Sequence, residues 1–148
     1  MKQILAIDPG ASGGMAWTDS SGRVYCVPMP ETEGDVVALI RSRSCDNCVV
    51  YLEQVGGFIG GNPAPGSAMF NFGEGFGIIK GAVQAFQMPL ICVRPQAWQK
   101  ALSLGTKKDY DKQWKNHLKE RAQQYFPDLH ITLKTADALL ILKYAQTL

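Results

Sequence analysis

The sequence predicts an α/β layer protein built on a mixed five-stranded sheet, three antiparallel strands followed by parallel ones, with helices on its flanks. The patterns run in the order three strands, helix, strand, helix, strand, helices. A meander followed by helical crossovers gives antiparallel and then parallel strands. The 148 residues are 46% hydrophobic and 19% charged, ordinary for a chain that buries a core without staples. No repeat or low-complexity tract divides the chain, so residues 1–148 read as one domain.

Gln3-Ile4-Leu5-Ala6-Ile7-Asp8 is a short apolar run that stops at Pro9-Gly10, the pattern of a buried strand with an acid at its end. Residues 15–18 and 24–27 flank Ser20-Ser21-Gly22 as a hairpin. Thr32 and Asp35 resemble a capping pair, and Val36, Val37, Leu39 and Ile40 then recur with helical spacing up to about Ser44. Residues 49–53 form a second buried strand, again ending in an acid, Glu53. A glycine- and proline-rich loop spans residues 56–66.

Met69, Phe72, Phe76, Ile79, Val83 and Phe86 then mark an amphipathic helix. Gly73, Gly77 and Gly81 repeat on another face. They read as close packing against a sheet or helix, with a subunit interface as the alternative. Residues 89–93 form a short strand. Helices are expected near 95–102, over 109–126, and from about Lys134 onward.

Several classes drop out. No apolar run has the length of a membrane span. The N-terminal apolar stretch meets Asp8 too soon for a signal peptide. Cys26, Cys45, Cys48 and Cys92 are too few and irregular for a disulfide scaffold, which points to a reducing cytoplasm. Cys45-Asp46-Asn47-Cys48 has no second ligand pair for zinc and reads as a turn with packed thiols. Charge is uneven: residues 1–93 carry 5 basic and 8 acidic side chains, residues 94–148 carry 10 and 5. That asymmetry hints at a polyanion-binding face.

Three acids are placed unusually. Asp8 and Glu53 end two strands, and Asp137 sits in Thr135-Ala136-Asp137-Ala138-Leu139-Leu140, an apolar setting that is costly for an unpaired carboxylate. If they converge, they make an oxygen-ligand site for Mg²⁺ or Mn²⁺. Each also has an ordinary reading, as turn former, solvated strand end or helix-dipole partner. Spacing alone leaves both readings open.

Ile7-Asp8-Pro9-Gly10-Ala11-Ser12-Gly13-Gly14 resembles the opening motif of the RuvC-type Holliday junction resolvases. Tyr51-Leu52-Glu53-Gln54-Val55 resembles that family's second acid motif. Pro95-Gln96-Ala97-Trp98-Gln99-Lys100-Ala101-Leu102 and Ala136-Asp137-Ala138-Leu139-Leu140 complete the order. The stretch from Ser67 to Gly73, running on to Gly77 and Gly81, is similar to the phage and prophage branch. The resemblance implies a ribonuclease H-like fold and a homodimer that cuts four-way DNA junctions with a divalent metal, Mg²⁺ with Mn²⁺ as substitute. It implies Asp8, Glu53 and Asp137 as metal ligands, and a cytoplasmic setting in a bacterial or phage-infected cell.

Two positions depart from the pattern. Lys134 stands where the family usually has a fourth carboxylate or a His, and at i, i+3 from Asp137 it is expected beside that acid, facing the cleft as a catalytic group. Gly56-Gly57 intervene before Phe58, the aromatic candidate for a DNA contact. Lys108, Lys112, Lys115 and Lys119 form one helical stripe, with Tyr110, Trp114, Leu118 and Ala122 on the packing face. Lys107, Lys108, Lys112 and Lys115 are the expected phosphate contacts. Two other readings stay open: a scaffold that grips branched DNA without efficient cleavage, and a nuclease of this fold acting on forks, flaps or RNA–DNA hybrids.

Overall fold

Period-two alternation and the turn residues between runs build the sheet first. Gln3–Asp8 forms β1, Gly14–Thr18 β2 and Val24–Pro28 β3, an antiparallel meander. Cys48–Glu53 forms β4 and Leu90–Val93 β5, both parallel additions, so the strand order is β3-β2-β1-β4-β5. In this computed structural model residues 2–55 and 66–148 are described. Phe58 lies outside them.

The register of the parallel pair matters most. Ile7 stands opposite Leu52, so the carboxyl-terminal ends of β1 and β4 lie side by side and both acids reach the same sheet edge. Alternation sorts their neighbours onto two faces. Leu5, Ile7, Val50 and Leu52 enter the core layer shared with α1 (Glu33–Ser42) and α2 (Gly66–Ala85). Ala6 and Tyr51 enter the opposite layer, beneath α3 (Pro95–Ala101), α5 (Trp114–Tyr125) and α6 (Ala136–Gln146). Asp8 and Glu53, two residues further along, therefore share the face that α6 covers.

α6 is anchored hard. Leu139, Leu140, Ile141 and Leu142 are all fully buried, because the helix is wedged between the sheet and α5 and its middle is an unbroken apolar run. Each such side chain contributes about 1.5–3 kcal/mol relative to exposure. α1 starts as the sequence predicts: Thr32 is its N-cap, and its hydroxyl accepts from the Asp35 N–H at 3.1 Å. The Cys45–Cys48 segment is a turn into β4 with free thiols, and burial pushes the Cys48 thiol up to about 11.

Three expectations are corrected. The helix predicted over 109–126 is broken: α4 spans Lys107–Tyr110, a 3₁₀ turn spans Asp111–Gln113, and only then does α5 begin. Asp111 sits at φ +49, a conformation that interrupts helical backbone. The lysine stripe is therefore spread over three short elements. Next, Gly73, Gly77 and Gly81 show no close packing among the described residues: a Cβ built on any of them meets none of their atoms within 4 Å. α2 buries only Ile79, Ala82 and Val83, leaving Met69 and Phe70 exposed. Finally, α6 begins at Ala136, so Lys134 lies ahead of it in a turn. In that turn the Thr132 N–H donates to the Thr135 hydroxyl at 3.0 Å. Among the described residues no helix is long and apolar enough to cross a membrane.

Candidate functional site

Asp8 at the end of β1, Glu53 at the end of β4 and Asp137 in the first turn of α6 form one electrostatic cluster. Burial pushes the Asp8 carboxyl up to about 8, and the charges of Asp137 and Glu53 add to that push. Glu53, only 8% exposed, is raised to about 7 by burial and by Asp137. Burial raises Asp137 to about 6. Asp137 raises the proton affinity of both other acids and Glu53 raises that of Asp8, so the site is short of positive charge.

Two side chains moderate that deficit. Lys115 on α5 lowers all three carboxyls, and no other cation acts on any of them among the described residues. The indole Nε1–H of Trp98, on α3 and 1% exposed, donates to Glu53 Oε2 at 2.8 Å. An indole only donates, so this bond holds one carboxylate oxygen in place and favours its ionised form.

The backbone around the cluster is tightly fitted. A Cβ on Gly14 would stand 2.6 Å from the carbonyl oxygen of Lys134, so only glycine lets the turn before α6 lie against β2. That contact fixes where α6 starts, and with it Asp137.

Lys134 itself is exposed and exerts no charge effect on Asp137; the expected helical pairing fails because the residue precedes the helix. Lys107 and Lys108 on α4, Lys112 on the 3₁₀ turn and Lys115 on α5 are all exposed. Phe58 falls outside the described residues. Sequence reasoning attaches no role to the Trp98 indole and reads Lys115 only as a phosphate contact. No spacing rule connects Trp98 to Glu53, because their proximity comes from α3 folding over β4.

The donor chemistry fits a hard divalent cation: oxygen ligands only, mutually repelling and partly buried. The set is open as it stands. Among the described residues no three Asp, Glu, His or Cys side chains are grouped closely enough to hold an ion.

No family model matches the chain, and no curated protein matches it in sequence. Solved structures do match. The chain is similar to Thermus thermophilus RuvC at 17% identity and a TM-score of 0.58, covering 98% of this chain and 96% of that one. It is similar to Thermus thermophilus RuvC in complex with Holliday junction substrate at 16% identity and a TM-score of 0.61, covering 99% and 96%. With its mixed sheet flanked by helices, the chain has a RuvC-like, ribonuclease H-like fold.

Proposed function

We propose that this chain is a metal-dependent endonuclease of a single domain that cuts four-way or related branched DNA by phosphodiester hydrolysis. What supports the reading most is that Asp8 and Glu53 end neighbouring parallel strands and that Asp137, in the first turn of α6, acts electrostatically on both, each of the three having a raised proton affinity. Such a cluster is expensive in a protein with no cation to place there. Supporting it, the similar Thermus structure has a Holliday junction as its bound substrate.

Asp8, Glu53 and Asp137 would hold Mg²⁺, with Mn²⁺ substituting. The ion supplies Lewis acidity to the scissile phosphate and lowers the pKa of attacking water. The chain's own residues do the rest. Glu53 is steered by Trp98, so one of its oxygens is committed and the other is free to ligate. Lys115 offsets part of the negative charge before DNA arrives and adds a cation beside the incoming phosphate. Lys134 stays outside this set.

A second copy completes the reading, since paired cuts in a junction need two centres. The open stripe of Phe70, Gly73, Gly77 and Gly81 on α2 supports an isologous contact between protomers.

The test is cleavage of labelled junction, fork, duplex and RNA–DNA hybrid with Mg²⁺ or Mn²⁺. Paired cuts in the junction are expected, abolished by excess chelator and by Asp8→Asn, with junction binding retained by the variant. Equal cleavage by Asp8→Asn, or cleavage in chelator, overturns the metal assignment. Preference for another substrate moves the reading to a different nuclease of this fold.

A further inference from the structure

The segment between α3 and α5 and the first turns of α5 carry five lysines and two aspartates over residues 107–119. Within it stands Tyr110, an aromatic residue that is 38% exposed. The ring is held from two sides. It stacks on the His117 imidazole with centroids 3.7 Å apart and planes 8° from parallel. His117 is itself pinned, with Nε2 2.7 Å from the Leu104 carbonyl oxygen. A carbonyl only accepts, so Nε2 carries the proton. Gly105, at φ +80, passes so close that a Cβ there would lie 3.1 Å from Tyr110 Cε2. Imidazole and glycine backbone thus fix the ring, while its hydroxyl has no hydrogen-bond partner among the described residues.

The surrounding charges face outward. Asp109 commits its Oδ2 to the Thr106 N–H and hydroxyl, each at 3.0 Å, closing the start of α4. Lys107, Lys108 and Lys112 make no ion pair among the described residues. A rigid phenol donor set among unpaired ammonium groups suits a phosphodiester backbone, where tyrosine hydroxyls and lysines share the positioning contacts.

We propose that Tyr110 is a DNA-backbone contact whose hydroxyl donates to a phosphate oxygen, with the His117 stack holding it in that pose. The inference rests on the DNA reading above and adds a positioning residue to it. Because the hydroxyl is neutral, it releases no counterion, so its removal lowers affinity at every salt concentration without changing the salt slope.

The test is equilibrium binding of a labelled four-way junction and a linear duplex in chelator, across a salt series. Tyr110→Phe keeps the stacked ring and removes only the donor. Its affinity is expected to fall about tenfold on both DNAs, with the parent's slope, in keeping with one hydrogen bond to a charged group. His117→Ala is expected to produce a similar drop, and the double variant no further drop. Parental affinity in Tyr110→Phe overturns the contact while leaving the nuclease reading intact. A reduced slope in Tyr110→Phe also overturns it, since the weakening then comes from displaced lysines. Absence of DNA binding by the parent chain overturns both.

Discussion

Asp8, Glu53 and Asp137 each hold a proton well above the range of a free carboxyl, and the cause is burial among like charges with one lysine for relief. Their folded pKa values, about 8, about 7 and about 6, lie above those of the unfolded chain. The metal-free folded protein therefore binds more protons than the unfolded chain between about pH 4 and pH 8. The stability from these groups is present below the unfolded values and is lost as pH rises through the folded ones. Melting of the chelated protein is expected to weaken steadily across that window. Asp8→Asn is expected to flatten the decline and to raise stability at pH 8 by about 1–3 kcal/mol. A melting point independent of pH from 4 to 8 contradicts the clustering. The three acids stand out in the sequence because strand ends and an apolar helix turn make a carboxylate conspicuous, while spacing alone leaves open whether they meet. Trp98 is not, because a buried indole serves a core equally well whether or not its N–H has an acid to meet.

At the scale of elements, local chemistry decides what can be read. The strands and α1 are plain, since alternation, turn residues and the Thr32 cap all agree with the tertiary outcome. Spacing misleads over 109–126 because it is helical on both sides of Asp111, while the break is a backbone event at one residue. The start of α6 is displaced by the same kind of event, a threonine-based turn at Thr132–Thr135. Lys107, Lys108, Lys112 and Lys115 are spread over α4, the 3₁₀ turn and α5, all four exposed. Ala substitutions at Lys108, Lys112 and Lys115 are expected to weaken junction binding. The slope of log affinity against log salt should fall by about 0.9 for each phosphate that a lysine no longer neutralises. An unchanged slope in the triple variant makes these lysines a solvated surface only.

The molecule as a whole is asymmetric: an acidic first part supplies the sheet and two of the carboxylates, and a basic second part supplies the lysines. One apolar patch lies on the outer side of α2, where Phe70 is 68% exposed near a row of glycines that meet no close neighbour among the described residues. Light scattering is expected to give twice the 16.2 kDa chain mass, and Phe70→Glu a single chain mass. A parent protein that stays monomeric with and without junction DNA removes the two-centre reading. The sequence holds this row in plain view, yet whether it packs inside one chain or between two depends on what lies within a few ångströms, which no periodicity records.

The wedge-like seating of α6 has a consequence for how the protein comes into being. A chain emerging from its N-terminus acquires Asp8 and Glu53 early, on strands that pair only after a long crossover. The third carboxylate arrives with the same helix whose leucines and isoleucine fill one side of the sheet. Completion of the core and completion of the acid cluster are therefore one event. A nascent or misfolded copy that has not docked this helix has only two of the three proposed ligands in place, so the proposed hydrolysis is coupled to completion of the fold.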